Sequence, residues 1–165
     1  MTNIYIDSNV IVASEIEEEE HNHESREFMQ CVLRNKKTDI IFYTSVFTFL
    51  ELASAMTRRT NDRDKTYSLL YRIKNSWKYS INPLPPMAPR KMTSFTRLVD
   101  TLIETSIRFS TSSADSIHAQ TIAENKIDYL IIWNKKHFLD MMKQIQNLKV
   151  LTPSEMMVEL KKIIV

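Results

Sequence analysis

The chain has 165 residues, 43% of them apolar and 25% charged, with a net charge of +2. Those values are globular ones, for a single domain spanning 1–165 with a core of its own, and they exclude a disordered chain or an overall polycation. Glycine is absent, which excludes the phosphate-cradling Walker loop and the dinucleotide-binding turn, since both need glycine for close backbone approach.

No apolar run approaches the ~20 residues of a membrane span, and no basic stretch followed by a long apolar segment marks a signal peptide. The single cysteine, Cys31, excludes an internal disulfide and fits a reducing cytoplasm. Its place in a helical pattern suggests a small core residue.

In chain order, Ile4-Tyr5-Ile6 is a β-branched and aromatic run without charge, a buried strand that ends in Asp7. Ser8 can cap a short helix from Asn9 to about Glu15. Glu17 to Glu20 with His21 and His23 form an acidic stretch, read as a solvated loop rather than a metal cluster. Helical spacing resumes over about 24–36. Ile40 to Tyr43 reads as a second strand, followed by a helix from about Ser45 to Arg59 and another over about 63–77. Tyr79 to Leu84 reads as a short strand halted by prolines.

Met92 to Phe109 is an amphipathic helix, with Phe95, Leu98, Val99, Leu102 and Ile107 on its inward face. Thr111-Ser112-Ser113 can cap a helix reaching about Lys126. Asp128 to Trp133 is a third strand, His137 to about Gln146 a helix, Lys149 to Leu151 a short strand and Pro153 to Val165 a final helix. Strands that are apolar on both faces and alternate with helices predict an α/β fold, a parallel sheet covered on both sides.

Three acids then need explaining. Asp7 lies just beyond the carboxyl end of a strand, where open α/β sheets bind ligands. Glu51 is the only charge before Arg58 on a helix that is apolar on nearly every side. Such a carboxylate is costly unless it is salt-bridged or holds a metal. Asp115 falls in the first turn of its helix, a position favoured by the macrodipole alone, yet that turn lies at the same sheet edge as Asp7. Asn134 follows the third strand, and its amide carbonyl can ligate a hard cation. Convergence of Asp7, Glu51, Asp115 and Asn134 would pack like charges together, which Mg²⁺ or Mn²⁺ relieves. The chemistry suited to such a site is hydrolysis of a phosphodiester.

These pieces resemble a known family. Ile4 to Val10, Thr44-Ser45 through Leu50-Glu51-Leu52-Ala53, Ala114-Asp115-Ser116-Ile117-His118-Ala119 and Asp128 through Phe138 are similar, in order and spacing, to the PIN-domain nucleases, in particular the VapC-like toxin ribonucleases. The resemblance covers essentially the whole chain. It implies a three-layer α/β/α fold with four to five short parallel strands and cleavage of single-stranded RNA with one or two Mg²⁺ or Mn²⁺ ions. It also implies a homodimer and an antitoxin protein partner. Asp7, Glu51 and Asp115 fall on the family's acidic metal positions, Ser45 near its hydroxyl position and Asn134 where many members have a fourth Asp. His118 shares a face with Asp115, which suggests a structural hydrogen bond.

Arg58, Arg59, Lys135 and Lys136, with Arg63 and Lys65, are candidate contacts for the RNA backbone. Trp133, Trp77 and Tyr71 are candidate stacking residues. Two other readings stand beside the ribonuclease. One is a phosphatase with Asp7 as nucleophile, disfavoured because Asn9 stands where such enzymes carry a second acid. The other is a catalytically weak or inactive PIN-like module that binds RNA or protein, suggested by Asn134.

Overall fold

A computed structural model describes residues 1–86, 95–136, 138, 145 and 147–163. Strands β1 (Thr2–Ile6), β2 (Ile40–Ser45), β3 (Ile81–Leu84), β4 (Tyr129–Ile131) and β5 (Lys149–Leu151) form one parallel sheet in the order β3-β2-β1-β4-β5. The helices are α1 (Ser8–Glu15), α2 (Asn22–Arg34), α3 (Thr48–Thr60), α4 (Arg63–Trp77), α5 (Phe95–Phe109), α6 (Ser113–Glu124) and α7 (Pro153–Ile163).

The two-residue period of a strand divides the core. Ile4 and Ile6 of β1, Phe42 of β2 and Ile131 of β4 pack on one face against α1, α2, α3, α4 and α7, through residues such as Val10, Phe28, Leu52, Ile73 and Met156. Tyr5 and Leu130 point to the other face and meet Ala119 and Ile122 of α6, and α5 packs on α6. Two helical layers thus enclose the sheet. Each fully buried aliphatic side chain contributes about 1.5–3 kcal/mol. The expected three-layer parallel architecture is the observed one.

Several boundaries differ from the sequence reading. Asp7 rather than Ser8 caps α1, its side chain accepting from the Asn9 N–H. β2 continues through Ser45, so the Glu51 helix begins at Thr48. β4 is only Tyr129–Ile131. Pro83 lies inside β3 rather than halting it. β3 is an edge strand, where the missing proline N–H costs no ladder bond. In α5, Leu98 is buried and Val99 and Leu102 half-buried, but Ile107 is 75% exposed. Cys31 is also exposed, because it lies beside the buried stripe of Phe28, Met29 and Val32. The helix expected from His137 to about Gln146 lies largely outside the described residues, as do Met92 to Ser94 and Ile164-Val165.

Without glycine, the left-handed backbone positions among the described residues fall to His21, Asn61, Ser110 and Asn147. Asn61 ends α3 at φ 49°, the usual place for glycine, and asparagine is among the few side chains that tolerate it. No helix among the described residues is long and apolar enough to cross a membrane.

Candidate active site

All five strands run in one direction, so their carboxyl ends share an edge, and the candidate residues gather there. Asp7 directly follows β1 and is 4% exposed. Its backbone N–H donates to the Ile131 carbonyl of β4 at 3.0 Å. Asp115 lies in the first turn of α6 and is half-buried. Ser112 caps that turn, accepting from the Asp115 N–H at 3.1 Å. Ser112→Ala is expected to cost about 1 kcal/mol, read as a Tm lower by about 2–4 °C in a thermal melt.

Asp7 and Asp115 line a cleft of about 280 Å³ together with Asn9, Ile132, Asn134 and Phe138. Asn134 does not occupy the position on β4 that Asp7 has on β1. The register pairs Ile6 with Ile131, so Ile132 is the counterpart of Asp7. Asn134 lies two residues further on, exposed, and reaches the cleft from the turn beyond the strand. Asn9 braces that turn, its Oδ1 accepting from the Trp133 N–H at 3.4 Å.

Glu51 arrives by another route. Its helix is not apolar all round in space, since Leu50 is 64% exposed and Glu51 itself half-buried. Neither is its partner an Arg or a Lys. Glu51 Oε2 accepts from Nε2 of His118 at 2.7 Å. The other ring nitrogen of His118, Nδ1, shares a 2.6 Å hydrogen bond with the Tyr5 hydroxyl and stands 3.8 Å from Asp7 Oδ1. His118 is 2% exposed and Tyr5 fully buried. The expected structural hydrogen bond of His118 thus exists, with partners on β1 and α3.

Tyr5 was legible only as a strand residue. Strand alternation is what turns it toward α6, and only the paired register of sheet and helix reveals the contact. Ser45 is buried beside Tyr5 and accepts from the Phe47 N–H at 3.1 Å. Thr44 and Thr48 hydrogen-bond each other at 2.8 Å, and Thr44 donates to the Ile6 carbonyl at 2.9 Å. These hydroxyls fix the start of α3 against the end of β1.

The charges are coupled. Burial raises the Asp7 pKa above the usual carboxylate value; the His118 charge and the Asn9 N–H act against it, while Glu51 and Asp115 add to it. Burial disfavours protonated His118, but the Glu51 hydrogen bond and the negative charges of Asp7, Glu51 and Asp115 outweigh it and raise its pKa. The Tyr5 hydroxyl is held well above its usual value, by burial and then by the Asp7 charge.

Two carboxylates and one amide oxygen around a small cleft form an all-oxygen donor set. That set fits Mg²⁺ or Mn²⁺, which bind through one or two carboxylates and keep several waters. Among the described residues, no three His, Cys, Asp or Glu side chains are grouped to hold a single ion. Of the three acids expected at the site, Asp7 and Asp115 line the cleft, whereas Glu51 is hydrogen-bonded to His118.

Most of the remaining candidates are engaged in other contacts. Arg59 is bridged to Glu19 at 2.7 Å and Arg58 hydrogen-bonds Ser54. Lys135 is paired with Glu155, and Lys136 is exposed. Trp77 is buried. Trp133 stacks on His21 at 4.1 Å and donates to Ser25, so neither indole is free for a base. His23 lies 3.9 Å from Glu27, and the acidic stretch forms no metal cluster among the described residues.

No protein-family model and no curated protein matches this sequence. Solved structures do match the fold. Mycobacterium tuberculosis VapC20, a toxin that cleaves the sarcin-ricin loop, aligns with a TM-score of 0.60 at 14% identity, covering 83% of this chain and 94% of that one. A chain of VapBC2 from Rickettsia felis, crystallised bound to a DNA fragment from its promoter, aligns with a TM-score of 0.56 at 14% identity, covering 89% of this chain and 96% of that one. The chain therefore has the three-layer α/β/α fold of these VapC-type proteins, the PIN-like fold that its motifs resemble.

Proposed function

We propose that this chain is a Mg²⁺- or Mn²⁺-dependent endoribonuclease that hydrolyses phosphodiester bonds of single-stranded RNA, as the toxin of a toxin–antitoxin pair. The observation that carries the reading is the meeting of Asp7, Asp115 and Asn134 in one cleft at the carboxyl edge of the sheet, with Glu51 one histidine away. The fold shared with VapC20 supports it.

Asp7 and Asp115 would hold the ion, and the Asn134 amide oxygen would turn toward it. When bound, such a cation supplies positive charge for the phosphoryl oxygens and acidifies the attacking water. The chain's own contribution is positional. The α1 cap fixes Asp7 and the Ser112 cap fixes the first turn of α6. His118 orients the Glu51 carboxylate, ready to accept a hydrogen bond from water or from the ribose. In this reading the protein is cytoplasmic, homodimeric and covered by an antitoxin until released. The VapBC2 structure supports an antitoxin partner.

Purified protein is expected to cleave single-stranded RNA with Mn²⁺ and to stop in excess EDTA. Gel analysis of labelled RNA reads this directly, and cleavage indifferent to EDTA would overturn the metal role. A second reading, a non-catalytic RNA- or protein-binding module, is favoured by Asn134 and by the commitment of Glu51 to His118. Calorimetry with Mn²⁺ separates the two, since the module predicts no binding.

A further inference from the structure

Of the six basic residues named as candidates for RNA, four are engaged within the fold: Arg58 by Ser54, Arg59 by Glu19, Lys65 by Asp62 and Lys135 by Glu155. Another basic surface lies on α4. At 3.6 residues per turn, Arg63, Tyr67, Tyr71, Lys74 and Lys78 project within about 80° of one another around the helix axis. Lys78 continues the helix at its C-cap with right-handed backbone. The adjoining side of α4 packs into the core through Thr66, Ile73 and Trp77.

All five stripe residues are exposed, and Tyr67 and Tyr71 are each 73% exposed. These are large apolar rings one helical turn apart, held in water by a helix with a fully buried inner face. The only acid within α4 is Asp64, at the margin of the stripe. Arg63, Lys74 and Lys78 have no carboxylate partner among the described residues. The Lys74 ammonium lies over the Phe49 ring at 5.6 Å and the Lys78 ammonium over Tyr79 at 5.3 Å, and both side chains are exposed. Tyr79, just beyond the helix, is itself 88% exposed.

We infer that the exposed Arg63–Tyr67–Tyr71–Lys74–Lys78 face of α4 is a docking track for single-stranded RNA, with the tyrosines stacking on bases and the basic groups meeting phosphates. The ligand class rests on the ribonuclease reading above; the track itself rests on the residues of α4. Positive charge without carboxylates selects a polyanion, and paired flat rings select a polyanion with exposed π-faces, which single strands have and duplexes lack. Such a track binds with little regard to sequence and holds a long RNA while the cleft acts on one bond.

The test is fluorescence anisotropy of the full chain with a labelled 20-nucleotide oligouridine in EDTA, so that binding is read without cleavage. Tyr67→Ala with Tyr71→Ala is expected to weaken binding at least about tenfold, and Tyr→Phe at both positions to retain it. Alanine at Arg63, Lys74 and Lys78 together is expected to reduce the salt dependence of log K by about 2, at ~0.7 per phosphate contact. In Mn²⁺, the tyrosine variant is expected to cleave long RNA with a raised KM. Unchanged affinity in both variants overturns the track, and so does a change of oligomeric state in sedimentation, which would make the face a protein interface. Absence of cleavage by wild type with binding intact overturns the ribonuclease reading and leaves the track standing.

Discussion

Asp7→Asn is expected to reduce RNA cleavage by at least about 10³-fold while melting at or above the wild-type temperature. The two effects share a cause. A bound cation contributes several kcal/mol to phosphoryl chemistry, and each 1.36 kcal/mol is about tenfold in rate. Asparagine keeps the side-chain oxygen that caps α1 but not the charge that would hold a cation in the proposed reaction. The charge is also what burdens the fold. The folded-state pKa of Asp7 is raised, first by burial. Its contribution to stability is therefore fully present below the unfolded carboxylate value and is lost as pH rises through the folded one. At neutral pH the ionised group stands at a disadvantage that asparagine removes. Cleavage assays beside thermal melts at pH 7 check both parts. Retained activity would remove Asp7 from the centre of the site, and a large fall in Tm would show that its charge stabilises the fold.

His118→Ala is the second large effect. The imidazole links Tyr5 of β1, Glu51 of α3 and, at 3.8 Å, Asp7. Its removal leaves a fully buried phenol without that partner, a half-buried carboxylate unpaired, and a void between them. A loss of about 3 kcal/mol is expected for hydrogen bonds of this kind, one of them to a charged group, which lowers Tm by roughly 6–12 °C in a chain of this size. Activity should fall as well, because Glu51 loses its orientation.

The wild-type protein carries a matching pH signature. The folded pKa of His118 is raised above 6.5. The stability it adds is complete below that value and is lost as pH rises from about 6.5 through the folded pKa. Chemical denaturation at a series of pH values should show this decline in wild type. His118→Gln should flatten it, and an identical slope in that variant would assign the decline to another group.

Much of the fold was legible because α/β alternation writes itself into composition. Ile4-Tyr5-Ile6 and Tyr129-Leu130-Ile131 are buried on both faces, and such runs have few uses outside a covered parallel sheet. Asp7 was legible for the same reason, as a carboxylate where an apolar run stops. Other features depend on three-dimensional pairing. The hydrogen bonds of His118 to Tyr5 and Glu51 span 113 and 67 residues, and no periodicity encodes them. Leu50 and Ile107 misled because apolar character does not say which way a side chain faces once a helix is only half covered. The pairing of Arg59 with Glu19 and of Lys135 with Glu155 was not legible, because the partners are 40 and 20 residues apart.

Pro83 has a consequence for how copies of this protein can meet. The Leu84 carbonyl accepts from the Val46 N–H, so Leu84 turns its polar backbone toward β2, and its neighbour Pro83 turns outward. The outer margin of β3 thus lacks a donor where an added strand would need one. The opposite margin, β5, is three residues long and begins with Lys149, a short and charged border. Among the described residues both borders of the sheet thus disfavour strand addition, which leaves helical surfaces as the better ground for contact between copies.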